Sequence, residues 1–263
     1  MSMETLPTVF VSHGAPTLSL ENVPARKFLV ELGTRYRNVK AVLCISAHWN
    51  TAAPAVNSVA MPETIHDFYG FPSELYQITY PAHGSPGLAG RAAALLNDAG
   101  LSGDIDTSRG LDHGAWVPLR LMFPTADVPI VQLSIQRHLD PARHVALGEA
   151  IEPLRHEGVL VLGSGGAVHP LGDPTASLGP GAPTDAWAIE FNEWLIKAVT
   201  KGDREALIHY RTLAPYATHA HLYPDHYMPL LAAFGAAGPG VRGTVLHQSW
   251  DLGDLGMGAY EFA

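Results

Sequence analysis

The sequence predicts an α/β fold, a single domain over residues 1–263 with a mostly parallel central sheet flanked by helices. Three observations carry this. Short runs such as AVLCISA (41–47) and GVLVLGS (158–164) are apolar at nearly every position, as strands covered on both faces require. They alternate with longer stretches of helical periodicity, the pattern of parallel strands joined by crossover helices. Hydrophobic residues make up 47% of a 263-residue chain, enough for one sizeable core.

The expected strands are TVFVS (8–12), AVLCISA (41–47), PIVQLSI (129–135), GVLVLGS (158–164) and GTVLHQS (243–249). The expected helices cover 24–36, 87–100, 116–123, 141–154, 184–200 and about 225–236. The fourth opens on Asp140 as N-cap with Pro141 in the first turn, where a missing N–H costs nothing. Two Pro- and Gly-rich loops, 62–86 and 170–184, interrupt the alternation. Loops of that length in a compact domain tend to be functional.

Composition narrows the function. A formal net charge of −9 removes the electrostatic drive for nucleic-acid binding. The single cysteine, Cys44, sits inside an apolar run, so no intramolecular disulfide forms and a buried, inert thiol is expected. The N-terminal stretch MSMETLPTVF lacks a basic segment before an apolar one, so no signal peptide is expected. No apolar run reaches the ~20 residues of a membrane span. These features predict a cytoplasmic protein with no membrane and no nucleic-acid partner, either monomer or homodimer.

Histidine is the unusual feature, with fourteen residues. His138, His144, His156 and His209 lie in polar or helical stretches and read as surface residues without a role. Others fall at strand ends. The first strand runs into His13 and the second into His48; GVLVLGS runs on through GGAVHPLG to His169; His226 lies near the start of a late helix. In open parallel sheets ligands bind beyond the carboxyl ends of the strands. Each histidine alone reads as a capping or hydrogen-bonded side chain, but four at matching positions point to a metal site at that edge. His113, in RGLDHGAWVPL (109–119), reads either as a general acid–base beside the metal or as a helix-start residue capped by Asp112. TIHDFYGFP (64–72) is rich in aromatics, suiting either a substrate pocket or a packed loop. His66, Tyr69, Phe71 and, beside His48, Trp49 are the candidate substrate contacts. Arg109, four residues before His113, is a candidate carboxylate partner, with a surface or structural arginine the stronger reading. The G-x-S-x-G elbow, the phosphate-binding loop and the H-E-x-x-H pattern are absent.

The segments SHGAPTL, ISAHW, IHDFYGFPSELYQITYPAHGSP, GLDHGAWVPLRLMFPTADVPIVQLSI, GSGGAVHPLG and PDHYMPLLAAFGAAG occur in this order. Together they resemble the DODA-type extradiol aromatic ring-opening dioxygenases of the LigB-like class III superfamily, from about residue 7 to 260. The resemblance implies one non-haem metal ion, Fe(II) for activity with Zn(II) as an alternative occupant. Its ligands would be His13, His48, His169 and His226, with His113 as the catalytic acid–base. The implied substrates are a small aromatic diol such as 3,4-dihydroxyphenylalanine and O2, and the product is a muconic semialdehyde-type aldehyde acid. Many non-haem iron oxygenases pair two histidines with a carboxylate, and no carboxylate of that kind is obvious here. Two alternatives remain, a Memo-like interaction protein of the same superfamily and a zinc hydrolase.

Overall fold

The structure is a computed structural model that describes residues 5–263; the first four residues of the N-terminal stretch lie outside it. A single eight-stranded sheet carries the fold. Its parallel centre is built from β1 (Thr8–Ser12), β2 (Ala41–Asn50), β5 (Ile130–Ile135) and β6 (Val159–Gly165), in the spatial order β5-β2-β6-β1. These are four of the five expected strands, with ends shifted by at most a few residues. One edge is extended by β3 (Ala55–Asn57) and β4 (Asp104–Asp106). The other is extended by β7 (Gly243–His247) and β10 (Ala259–Phe262). A separate two-stranded ribbon pairs β8 (Trp250–Asp251) with β9 (Leu255–Gly256).

The fifth expected strand, β7, does not touch the parallel centre. β10 inserts between β1 and β7, antiparallel to both. Periodicity gave no warning of this strand: it is four residues long and one of them is Glu261, whose carboxylate pairs with Arg35 at 2.9 Å.

Both faces of the central strands are buried, which explains their continuous apolar runs. Alternate residues still serve different cores. Phe10, Leu43, Ile45, Val159 and Val161 face one layer, while Val9, Val11, Val42, Cys44, Leu160 and Leu162 face the other. Cys44 is fully buried, and burial pushes its thiol well above the ordinary range. The second layer holds α1 (Pro24–Arg35) and α3 (His113–Met122). The first holds α2 (Pro86–Asp98), α4 (Pro141–Ile151), α5 (Ala186–Lys201) and α9 (Met228–Ala236). Helix α9 is buried at every position, the signature of a helix packed all round. It meets α4 at glycines: a Cβ on Gly148 would lie 2.0 Å from the Ala232 carbonyl oxygen, and one on Gly235 would lie 2.1 Å from that of Val145. Between α5 and α9 the chain makes short turns, α6 (Arg204–Ile208), α7 (Tyr210–Leu213) and α8 (Ala217–Ala220). These are too brief to show a helical period.

His144 corrects the surface reading. It is 1% exposed, and its Nε2 accepts the Gln136 main-chain N–H at 3.1 Å. Among the described residues no helix is long and apolar enough to cross a membrane.

Candidate active site

The ends of β1, β2 and β6 bring His13, His48 and His226 together. His13 follows β1 and stays tied to β6, its N–H donating to the Gly165 carbonyl at 3.0 Å. His48 lies within β2, where pairing with β5 breaks after Ile45↔Leu133 and resumes only at Asn50↔Ile135. The irregularity lets the strand re-aim a side chain at the sheet edge. His226 is held by the end of β6. Gly166 N–H donates to the His226 carbonyl at 2.9 Å, and a Cβ on Gly165 would lie 2.2 Å from that oxygen. Only glycine allows that approach.

The inner nitrogens converge. His48 Nε2 lies 3.0 Å from His13 Nε2 and 3.1 Å from His226 Nε2. One ring nitrogen each of His13, His48 and His113 falls within 4.8 Å of the others. His169 stacks on His226, ring centroids 3.4 Å apart. The outer nitrogens are anchored. His226 Nδ1 meets Asp225 Oδ1 at 2.9 Å, and His113 Nδ1 meets Asp67 Oδ1 at 2.9 Å. His48 Nδ1 faces Asp67 Oδ2 at 3.4 Å. His13 Nδ1 meets Ser164 Oγ at 3.1 Å, while the Ser164 hydroxyl donates to the Gly114 carbonyl. Since that hydroxyl has spent its one proton, His13 Nδ1 must be the donor, and its Nε2 keeps a lone pair facing inward.

Burial favours the neutral form of His13, His48, His169 and His226. Burial, then the neighbouring imidazoles, pushes His13, His169 and His226 well below the ordinary histidine value. Burial and His113 push His48 down to about 4, against the pull of Asp112 and Asp67. Neutral imidazoles with anchored outer nitrogens and converging inner ones suit a transition-metal ion. For Asp67, burial acts upward but is outweighed by the hydrogen bonds it accepts from His113 and its electrostatic coupling to the His113 and His48 rings, leaving it at about 2.

The helix-start reading of His113 holds, and the residue also borders the histidine cluster. It is the first residue of α3, and Asp112 caps that helix, its Oδ1 accepting Ala115 N–H at 3.2 Å. The helix starts three residues earlier than the expected 116, which puts His113 on its first turn. Asp112 is fully buried and saturated. It accepts from the Ser46 hydroxyl at 2.6 Å, Gln132 Nε2 at 2.8 Å and Arg109 Nη2 at 2.9 Å. Arg109 also reaches the His48 carbonyl at 3.3 Å and lies over the Trp49 ring. It is a structural arginine that ties β2 to α3.

A cavity of about 410 Å³ opens on the cluster. His13, His48, His113, His169 and His226 line one end, and Phe68, Phe71, Leu171, Leu178, Leu252 and Leu255 line the apolar walls. Both long loops therefore contribute. Among the described residues, Glu21 is the one carboxylate on the lining. Of the candidate substrate contacts, only Phe71 lines this space. Tyr69 is 92% exposed, Trp49 is buried under Arg109, and His66 sits behind the aromatic wall with Nε2 3.0 Å from the Ile78 carbonyl. Phe68, another aromatic of the 64–72 loop, also lines the cavity and packs edge-on to His113 at 5.7 Å.

Sequence reasoning missed the anchoring residues Asp67, Ser164 and Asp225. Asp67 and Asp225 carried a usable signal, since each adjoins a histidine in HDF and DHY. Ser164 carried none.

Residues 7–262 match the family described as the catalytic LigB subunit of aromatic ring-opening dioxygenase. A 4,5-DOPA dioxygenase extradiol of Beta vulgaris is 48% identical over 260 residues, covering 97% of this chain and 96% of the relative. The dioxygenase TasH of Hapsidospora irregularis is 38% identical, covering 89% of this chain and 79% of the relative. The crystal structure of an uncharacterized Escherichia coli K12 protein superposes with a TM-score of 0.80 at 30% identity, covering 98% of this chain and all of that one.

Proposed function

Because this chain belongs to the LigB family of aromatic ring-opening dioxygenases and is an extradiol ring-cleavage enzyme, we propose that it opens a DOPA-like catechol to a muconic semialdehyde-type product at a non-haem Fe(II). In this reading residues 1–263 form one catalytic domain. His13, His48 and His226 hold the ion, with His169 as the fourth imidazole beside His226. When bound, the ion supplies Lewis acidity toward the catechol hydroxyls and the redox chemistry through which O2 reacts with the ring. An all-nitrogen donor set also holds Zn(II).

The observation that carries the proposal is the junction of the histidine cluster with an apolar cavity. Phe68 and Phe71 offer faces and edges to an aromatic ring, and four leucines complete the apolar lining. His113 stands where the two halves meet, touching Phe68 and the His48 ring, 3.9 Å between centroids. With Nδ1 held by Asp67, its Nε2 is free to take a proton from a catechol hydroxyl. Glu21 stands as the counter-charge for a substrate ammonium group.

One distance favours a second reading of His113. Its nitrogen lies within the same 4.8 Å as those of His13 and His48, the spacing of a set of metal ligands, and in that reading it would be a ligand rather than the acid–base. Replacement by Gln separates the two: an acid–base role spares metal content and slows turnover by about 10²–10⁴-fold, whereas a ligand role lowers both.

The test of the function is oxygen uptake by anaerobically purified, Fe(II)-loaded protein given a panel of catechols, with product mass read after reaction under ¹⁸O₂. Stoichiometric uptake, a yellow product and both labelled atoms in it are expected. No uptake across the panel with iron shown to be bound overturns the reading and turns attention to a zinc hydrolase.

A further inference from the structure

We propose that Asp67 is a positioning residue that sets the ring protons of His48 and His113 together, so that the loop forming the aromatic wall also aims the two rings. This rests on the reading of His48 as ligand and His113 as its neighbouring acid–base.

Asp67 comes from the 64–72 loop, between His66 and Phe68. Its Oδ1 accepts from His113 twice, from the main-chain N–H and from Nδ1, each at 2.9 Å. Its Oδ2 faces His48 Nδ1 at 3.4 Å. An ionised carboxylate only accepts. Each facing nitrogen is therefore favoured in its protonated form, and both Nε2 atoms keep lone pairs. For His48 that lone pair points toward His13 and His226, and for His113 it is the site of proton uptake. One carboxylate thus favours matching tautomers on two rings that the reaction uses differently, through a hydrogen bond at His113 and a longer charge–dipole contact at His48.

The loop is fixed by the helix it serves. Trp116 Nε1, on the first turns of α3, donates to the Ile65 carbonyl at 2.9 Å, and Ile65 N–H donates to the Leu111 carbonyl at 2.7 Å. Tyr80 N–H donates to Thr64 Oγ1 at 2.8 Å. Phe68, the next residue, packs against His113 and Phe71. A shift of the aromatic wall therefore moves the carboxylate, and with it the protons on both rings.

The substitution Asp67→Asn is informative because an amide has one acceptor and one donor end. With its oxygen kept on His113, its NH2 faces His48 Nδ1 and favours the proton on His48 Nε2, toward the other imidazoles. The experiment is long-range ¹H–¹⁵N correlation of the histidine rings in the metal-free full-length chain, with Zn²⁺ affinity measured by competition. In the wild type, His48 and His113 are expected as Nδ1–H tautomers. In Asp67→Asn, His48 is expected to move to Nε2–H, with Zn²⁺ bound about 10–100-fold more weakly. Asp67→Ala, read in the same spectra, is expected to release both rings. Nε2–H rings in the wild type, or an unchanged His48 proton or unchanged Zn²⁺ affinity in Asp67→Asn, overturn the proposal. None of these readouts needs a catechol or O2, so they stand apart from failure of the dioxygenase assay.

Discussion

Gly114 leaves the room that His48 occupies: a Cβ at Gly114 would lie 2.9 Å from His48 Cδ2 and 2.5 Å from Ser46 Oγ. The neighbouring hydroxyl is the one that donates to Asp112. Helical glycine carries an intrinsic penalty of about 0.5–1 kcal/mol relative to alanine, so its presence on the first turn of α3 reflects this contact. In Gly114→Ala that helical gain offsets part of the crowding cost, about 1–3 kcal/mol for an overpacked site. The expected outcome is a small change in melting temperature with metal affinity lowered about 10-fold or more, read by Zn²⁺ titration beside thermal unfolding. Unchanged affinity would mean that His48 has slack.

Arg109→Met removes the cation from a carboxylate that is fully buried. A buried charge left without its partner typically costs about 3–5 kcal/mol. Urea unfolding is expected to show a loss of that order, with turnover falling as the His48 carbonyl and α3 lose their tie. Were Arg109 instead a substrate-carboxylate contact, KM would rise and stability would hold.

The buried His144 gives the fold an acid-sensitive limb. Burial pushes its pKa from 6.5 down to about 4. The unfolded chain takes up this proton near the ordinary value and the folded chain only near 4, so between the two the unfolded state binds more protons. Its contribution is full above about 6.5 and is lost as pH falls toward 4, amounting to about 3 kcal/mol at most for a shift of this size. His144→Gln keeps an acceptor near Gln136 N–H but cannot titrate. Melting curves of the metal-free protein between about pH 7 and 4 are expected to show a shallower decline for this variant than for the wild type. Parallel declines would remove His144 from the acid limb.

Glu21→Gln tests the carboxylate on the cavity lining. For a catechol bearing an ammonium group, KM is expected to rise about 10-fold, roughly the worth of a charge-assisted hydrogen bond. For unsubstituted catechol KM is expected to stay the same. An equal rise for both substrates would place Glu21 in the fold rather than in recognition.

Much of this protein was legible along the chain because the signals are local. A strand buried on both faces must be apolar at nearly every position, so β1, β2, β5 and β6 announced themselves. The histidines that end or follow such runs, His13, His48 and His169, stood out against them. The Asp140–Pro141 helix start held, with Asp140 accepting Ala142 N–H at 2.8 Å. Signals faded where an element was short or where position alone conferred meaning. β10 is four residues long, too short to show a period, and it displaces β7 from the sheet centre. Tyr69 and Phe71 are two residues apart in one aromatic loop, yet Phe71 lines the cavity and Tyr69 points to solvent.

Local pattern could reveal the α/β layering, the end of the strands at which the histidines gather and which imidazoles are brought there. Folding alone chose the partners of those imidazoles. Ser164 and His13 are separated by 151 residues, and Asp67 and His113 by 46. A tautomer, a lone pair's direction or a neutral buried ring depends on what lies within about 3 Å in space, and residues that distant in the chain leave no mark on one another's sequence neighbourhood.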